Sequence, residues 1–149
     1  MKNIYTWAAK PAKRSTTVGD LKAAKGKRKF TQVTANTVDE AAAAEKAGFD
    51  MIIANTKNII PVREGSKNLF LTAALVLNEF VTADDIMRGA FKALENGADA
   101  VMTPRSMDIV EMLAKEDVPV MGQLGLVPRK STWIGGLRAV GKTANEAYD

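Results

Sequence analysis

A chain of 149 residues, 46% of them hydrophobic and 26% charged, has the balance of one folded domain, which excludes disorder as its main state. With no Cys and no His it forms no disulfide, thiolate nucleophile, imidazole base or Cys/His zinc site, and a serine–histidine triad is impossible within the chain. No run approaches the ~18 apolar residues that span a bilayer, and the N-terminus MKNIYTWAAKPAKRS lacks the apolar stretch of a secretory signal, so the expected setting is cytoplasmic, with no membrane partner.

The net charge of +4 is uneven. Residues 1–29 hold nine Lys or Arg against Asp20 alone, a local +8, whereas the remainder carries 12 basic and 16 acidic residues, giving −4. The expected organisation is a basic N-terminal arm over 1–16 followed by a domain over 17–149. Lys10, Lys13, Arg14, Lys22, Lys25, Lys27, Arg28 and Lys29 are of the right type to neutralise nucleic-acid phosphates. No aromatic residue is interleaved with them to stack on bases, and no nucleic-acid motif is present, so a solvated arm and helix is the preferred reading. Tyr5 and Trp7 are expected to pack on the body or on a neighbouring subunit.

Beyond the arm, five apolar runs of strand character follow in order: Phe30–Thr34, Met51–Ala54, Leu69–Leu75, Ala100–Thr103 and Val118–Met121. Most are continuously apolar, as in strands covered on both faces of a parallel sheet. Helix starts lie between them. Thr37-Val-Asp-Glu40 and Thr82-Ala-Asp-Asp85 each set a hydroxyl three residues before a carboxylate, and Ser106 is placed to cap Met107–Lys115 in the same way. Gly48 and Gly97 stand where helices should end, each followed within two residues by Asp and a new apolar run. The unit helix–glycine–strand thus appears in EKAGFDMIIANT and LENGADAVMTPR, with a glycine-free version in LAKEDVPVMGQLG. Alternating strands and helices predict a parallel α/β sheet, either doubly wound or part of a β/α barrel, since a complete eight-unit barrel usually takes ~250 residues. Thr143-Ala-Asn-Glu146 is a further capping box, and the chain stops at Asp149, which reads as an element cut short.

Gly136-Leu-Arg-Ala-Val-Gly141-Lys142-Thr143 fits the phosphate-loop pattern G-x-x-x-x-G-K-[ST]. A true phosphate loop follows a buried strand and opens a helix. Arg129-Lys-Ser-Thr-Trp-Ile-Gly135 is a poor strand, so a glycine-rich loop over the sheet's C-terminal edge is expected instead.

The stretches TVGDLKAAKGKRKFTQVTANT (17–37), AEKAGFDMIIANT (44–56) and VPVMGQLGLVPRKSTWIGGLRAVGKT (118–143) resemble the ketopantoate hydroxymethyltransferase family. The last matches in Gly122, Leu124, Gly125, Leu126, Pro128, Gly135, Gly136, Val140, Gly141, Lys142 and Thr143, which reassigns the apparent phosphate loop to a family feature. The resemblance runs over about 17–145, with the region between the second and third runs shorter than in the family by about one helix. It implies a TIM-barrel-like fold of the phosphoenolpyruvate/pyruvate type, here only its first five or so strands. It also implies Mg²⁺, methylene-tetrahydrofolate as one-carbon donor, a 2-oxo acid substrate and a multimeric habit. The family chemistry rests on a hard cation that stabilises an enolate, and on a base.

Set against the family pattern, the Gly-Asp-Ser of the second strand end reads Ala54-Asn55-Thr56. The Ala-Asp of the third falls on Ala73-Ala74 or, in an alternative alignment, near Arg105. The Lys-x-Glu after the fourth corresponds to Met102-Thr103-Pro104, the His of Gly-His-x-Gly-Leu becomes Gln123, and a later glutamate lies beyond residue 149. The resemblance therefore implies a diverged member whose metal carboxylates are replaced, impaired or inactive in hydroxymethyl transfer, with no catalytic residue assigned. The residues expected at the strand ends to hold a small carboxylate are Asn55, Thr56, Arg105, Ser106 and Gln123, with Arg105 the bidentate clamp. Two alternatives stay open: a metal-independent enzyme or binding protein for a small carboxylate, and a nucleic-acid binder through the basic segment. Glu79 and Asn78 are candidates for the same edge. Arg63 and Glu64 read as an exposed loop pair, and Met102, Met107, Met112 and Met121 as core or loop packing. Unpaired edges of a partial barrel predict a homo-oligomer.

Overall fold

Each predicted apolar run becomes a strand, and the strands pair in the order in which the chain makes them. In the computed structural model, which describes residues 1–148, the elements are β1 (Lys2–Tyr5), β2 (Pro11–Arg14), α1 (Val18–Ala23), β3 (Gln32–Thr34), α2 (Val38–Lys46), β4 (Met51–Asn55), α3 (Ile59–Gly65), β5 (Phe70–Ala74), α4 (Ala83–Glu95), β6 (Ala100–Thr103), α5 (Met107–Lys115), β7 (Val120–Gly122) and α6 (Ala144–Tyr148). Strands β3-β4-β5-β6-β7 form a five-stranded parallel sheet, and β1-β2 a separate antiparallel hairpin. A doubly wound sheet reverses strand order at its switch point. Here the order never reverses, and right-handed crossovers of that kind keep all helices on one face. The architecture is an arc of a β/α barrel, open at β3 and β7.

One sheet face carries the core. Ile52, Ala54, Leu71, Ala73 and Val101 alternate toward the helices and join Ile59, Val62, Ile86, Leu94 and Leu113 in one buried cluster. Helix α3 lies so close to α2 that a Cβ on Gly65 would sit 2.1 Å from the Val38 carbonyl oxygen. The opposite face carries Ile53, Asn55, Thr72, Ala74 and Met102, the residues that point inward in a closed barrel.

The repeated helix–glycine–strand unit has a physical basis. Gly48 and Gly97 take φ of 80° and 108°, and the next N–H reaches back to the helix (Phe49 to Ala44 O, 3.2 Å; Ala98 to Ala93 O, 3.0 Å). In the glycine-free version Asp117 occupies the same left-handed position at φ 59°, with Val118 N–H on Leu113 O at 3.1 Å. The Asp two residues after each glycine then ties down the neighbouring strand. Asp50 accepts from Thr31 N–H at 2.8 Å and Asp99 from Leu71 N–H at 2.9 Å.

Capping follows the sequence at Thr37 and Thr82, where hydroxyls accept from Glu40 and Asp85 N–H, and the Thr82 box is complete. Ser106 stands at the N-cap of α5 without a side-chain capping bond, contrary to expectation. Thr82→Ala is expected to lower stability by about 1 kcal/mol in urea denaturation, whereas Ser106→Ala should change it by less than about 0.5 kcal/mol. Thr143 caps the short α6 through Glu146 N–H, while Asp149, on which the expectation of an element cut short rests, lies outside the described residues.

Other expectations need correction. Residues 59–65 are a helix rather than a loop: Pro61 sits in its first turn, where a missing N–H costs nothing, and Ile59 and Val62 are buried. Arg63 consequently points into the structure, while Glu64 alone is exposed. Met112 packs on the core, but Met107 and Met121 are 53% and 43% exposed. Trp7 packs edge-to-face on Phe91 of α4 at 5.4 Å, whereas Tyr5 is exposed. No described helix is long and apolar enough to cross a membrane.

Candidate functional site

Parallel β/α sheets present ligands at the C-terminal ends of their strands, and the strand register settles what stands there. One rung of Cα partners runs Asn55–Ala74–Met102–Met121, and the next residues on β6 and β7 are Thr103 and Gly122. The rung contains no ionisable side chain. Among the described residues no group of three or more acidic side chains is placed to hold a metal ion. Amide and hydroxyl oxygens are neutral ligands, and Mg²⁺ in proteins is held through one or two carboxylates, so this donor set does not fit the ion implied by the resemblance.

The chain after β7 folds back over this edge. Val127 is buried, Pro128–Lys130 form a short 3-10 turn, and Arg129 Nη1 donates to Asn78 Oδ1 at 3.0 Å. Between this loop and the ends of β5 and β6 lies a cavity of about 200 Å³ whose walls include Leu75, Leu77, Met102, Gln123, Val127 and Arg129. It is an apolar pocket with one amide and one guanidinium. Residues 136–143 lie after a run of turns, not after a strand, so the phosphate-loop context is absent.

The five predicted residues divide into two places. Gln123 lines the cavity and continues the ladder, its N–H donating to Thr103 O at 3.1 Å. Arg105 stands beside it in another role: Nη2 donates to the carbonyls of Leu77 (2.9 Å) and Phe80, pinning the β5–α4 loop that forms one wall. Phe80 in turn lies against Gly89 of α4, where a Cβ would meet its ring at 2.2 Å. Ser106 is exposed at the start of α5. Asn55 belongs to a separate cluster, in which Asn36 Oδ1 accepts from Asn55 N–H and Asn58 Nδ2, both at 3.0 Å, and Asn36 N–H donates to Glu40 at 2.7 Å, while Thr56 opens the short 3-10 turn that follows. Three strand spacings separate Asn55 from Gln123, roughly 14 Å along the sheet. The residue that sequence reasoning missed is Arg129, one of many basic residues until the loop places it.

The other end of the strands holds the strongest electrostatic feature. Asp99, at the entry to β6, receives Arg14 Nε on both oxygens (2.8 and 2.9 Å), and Arg63 Nη2 on Oδ2 at 2.9 Å. Burial pulls the Arg63 guanidinium down to about 10 against the attraction of Asp99, so it stays charged at neutral pH. Arg14 and Arg63 also hold the carbonyls of Lys13, Lys67, Ser66, Leu69 and Gly97. This cluster fastens the hairpin, α3, β5 and β6 together.

The model of the ketopantoate hydroxymethyltransferase family matches residues 56–149. The chain is 35% identical to the 3-methyl-2-oxobutanoate hydroxymethyltransferase of Kosmotoga olearia, over 80% of this chain and 54% of that protein. It is 33% identical to the protein of the same name from Deinococcus radiodurans (79% and 51%) and 32% identical to that of Pyrobaculum calidifontis (87% and 58%). The chain thus spans about half the length of the curated relatives it matches.

Proposed function

The chain belongs to the ketopantoate hydroxymethyltransferase family, and from that premise we propose that it keeps the family's binding edge while lacking the charge needed for hydroxymethyl transfer. The observation that carries this reading is the strand-end rung Asn55–Ala74–Met102–Met121, with no carboxylate where the resemblance implies metal ligands. Removing a proton beside a 2-oxo group needs a base and a positive partner for the developing enolate oxygen. The rung supplies no base. The pocket's positive charge comes from Arg129, which suits a carboxylate more than an enolate because its guanidinium matches the carboxylate fork.

The ligand we propose is therefore a small branched 2-oxo acid such as 3-methyl-2-oxobutanoate, bound without metal. Its carboxylate meets Arg129 and the Gln123 amide, and its alkyl end lies on Leu75, Met102 and Val127. Arg105 acts as a positioning residue through the loop carbonyls, and Ser106 borders it. Asn55 and Thr56 lie further along the edge and serve the adjacent part of any larger ligand. The unpaired edges of β3 and β7, together with exposed Leu124, Trp133 and Leu137 in the loop after β7, support assembly into a homo-oligomer.

Calorimetric titration with 3-methyl-2-oxobutanoate, with and without Mg²⁺, tests the reading. The expected affinity is the same in both, and Arg129→Gln should weaken it about tenfold, the scale of one lost charge-assisted hydrogen bond. Binding that requires Mg²⁺, or an Arg129→Gln variant that binds as well as the parent, overturns the proposal.

A further inference from the structure

The hairpin, the turn after α3 and the end of α4 enclose a groove of about 540 Å³, far from the glycine loop and beside the Asp99 cluster. Its cationic lining is Lys10, Lys13, Arg14, Arg63 and Lys67, against one acidic residue, Glu95. Glu95 is paired with Lys92 at 2.8 Å and also lies near Lys10, Asp99 is shared by the two guanidiniums, and Glu45, which accepts from Asn68 of the groove at 2.7 Å, is a third carboxylate that acts on Arg63. The groove keeps a net positive charge, carried at its rim by Lys13 and Lys67, and is within the size range of small-molecule sites.

Arg14 gives this field a fixed donor. The residue is 3% exposed; its Nε is held by Asp99 and its Nη1 by the carbonyls of Lys13 and Lys67, yet Nη2 has no hydrogen-bond partner among the described residues. Nη2 shares its edge with the Nε that Asp99 holds, and its N–H groups are the donors of this fixed guanidinium left for an anion. Lys10, Lys13 and Lys67 are exposed around it.

We propose that this groove is a binding site for a small polyanion bearing a pyrophosphate or similarly clustered phosphate groups. Arg14 supplies the directional contact, and the three lysines supply charge that a monocarboxylate would leave largely unbalanced. Among the described residues no aromatic side chain lines the groove, and Trp7 packs on Phe91 outside it, so the recognition is of phosphate and not of a stacked base.

Titration of the full chain with sodium pyrophosphate is the direct test, and it is independent of the 2-oxo acid site. Binding at roughly 0.1 mM or tighter is expected, weakening with added salt. The Lys13→Gln/Lys67→Gln variant, changed only at exposed positions, should lose at least about tenfold in affinity with its melting temperature unchanged. Acetate at the same concentration should not compete. The proposal fails if pyrophosphate gives no saturable binding or if the double variant binds it equally well. It also fails if phosphatidylglycerol vesicles or duplex DNA bind and pyrophosphate does not displace them, since the face would then recognise an extended charged surface.

Discussion

Asp99→Ala is expected to cost about 3–5 kcal/mol of folding free energy, the usual penalty for stranding a buried charge, and to lower the melting temperature by roughly 6–20 °C. The side chain is only 10% exposed, with Arg14 and Arg63 at 3% and 14%. Removing it leaves two guanidiniums facing one another in a desolvated site and frees the Leu71 N–H. Asp99→Asn, which keeps an acceptor oxygen but not the charge, should fall between alanine and the parent. Urea denaturation monitored by circular dichroism measures the ladder. A loss under about 1 kcal/mol for alanine would mean that the carbonyls of Lys13, Lys67, Ser66, Leu69 and Gly97 are sufficient for both cations.

The same cluster shows why sequence reasoning stopped where it did. The five strands of the sheet and the helix starts at Thr37 and Thr82 are local matters of hydrophobic pattern and capping chemistry, and they stand within about two residues of expectation. Gly48-Phe-Asp50 and Gly97-Ala-Asp99 were visible as a repeat, but the partners of Asp99 lie 85 and 36 residues away in sequence, at Arg14 and Arg63. No local pattern announces such a pairing. The hairpin was hidden for a related reason: nine cations in 29 residues read as a solvated arm, whereas Arg14 is among the most buried polar residues described. At the candidate site, strand-end positions could be listed from the sequence, but not that Arg105 would turn to the Leu77 and Phe80 carbonyls while Arg129, from a loop 24 residues on, would reach the cavity. Long side chains on loops choose partners by tertiary proximity, which a one-dimensional pattern does not encode.

Placing two carboxylates at the strand ends is expected to create a divalent-cation site. Asn55 and Ala74 are direct Cα partners on neighbouring parallel strands, so side chains at these positions share a face about 4.8 Å apart. In Asn55→Asp/Ala74→Asp, each carboxylate would attract a dication by about 2 kcal/mol at 4 Å even in bulk-water dielectric. After the opposing cost of stripping water from Mg²⁺, a gain of about a hundredfold in affinity over the parent, near 2.7 kcal/mol, is the expected result by calorimetry. Stability supplies a second readout with a defined sign. Two unpaired carboxylates at that spacing repel, so one of them titrates above its unfolded value, and the double variant should lose stability as pH rises through the carboxylate range. Mg²⁺ binds only the folded form of such a site and should restore what repulsion removes, raising the variant's melting temperature while leaving the parent's unchanged. If the parent binds Mg²⁺ as tightly as the double variant, the neutral rung already serves as a metal site, and the reading of this chain as a metal-free binder fails. If the variant gains the ion, the difference between this edge and a metal-binding one reduces to two side chains on adjacent strands.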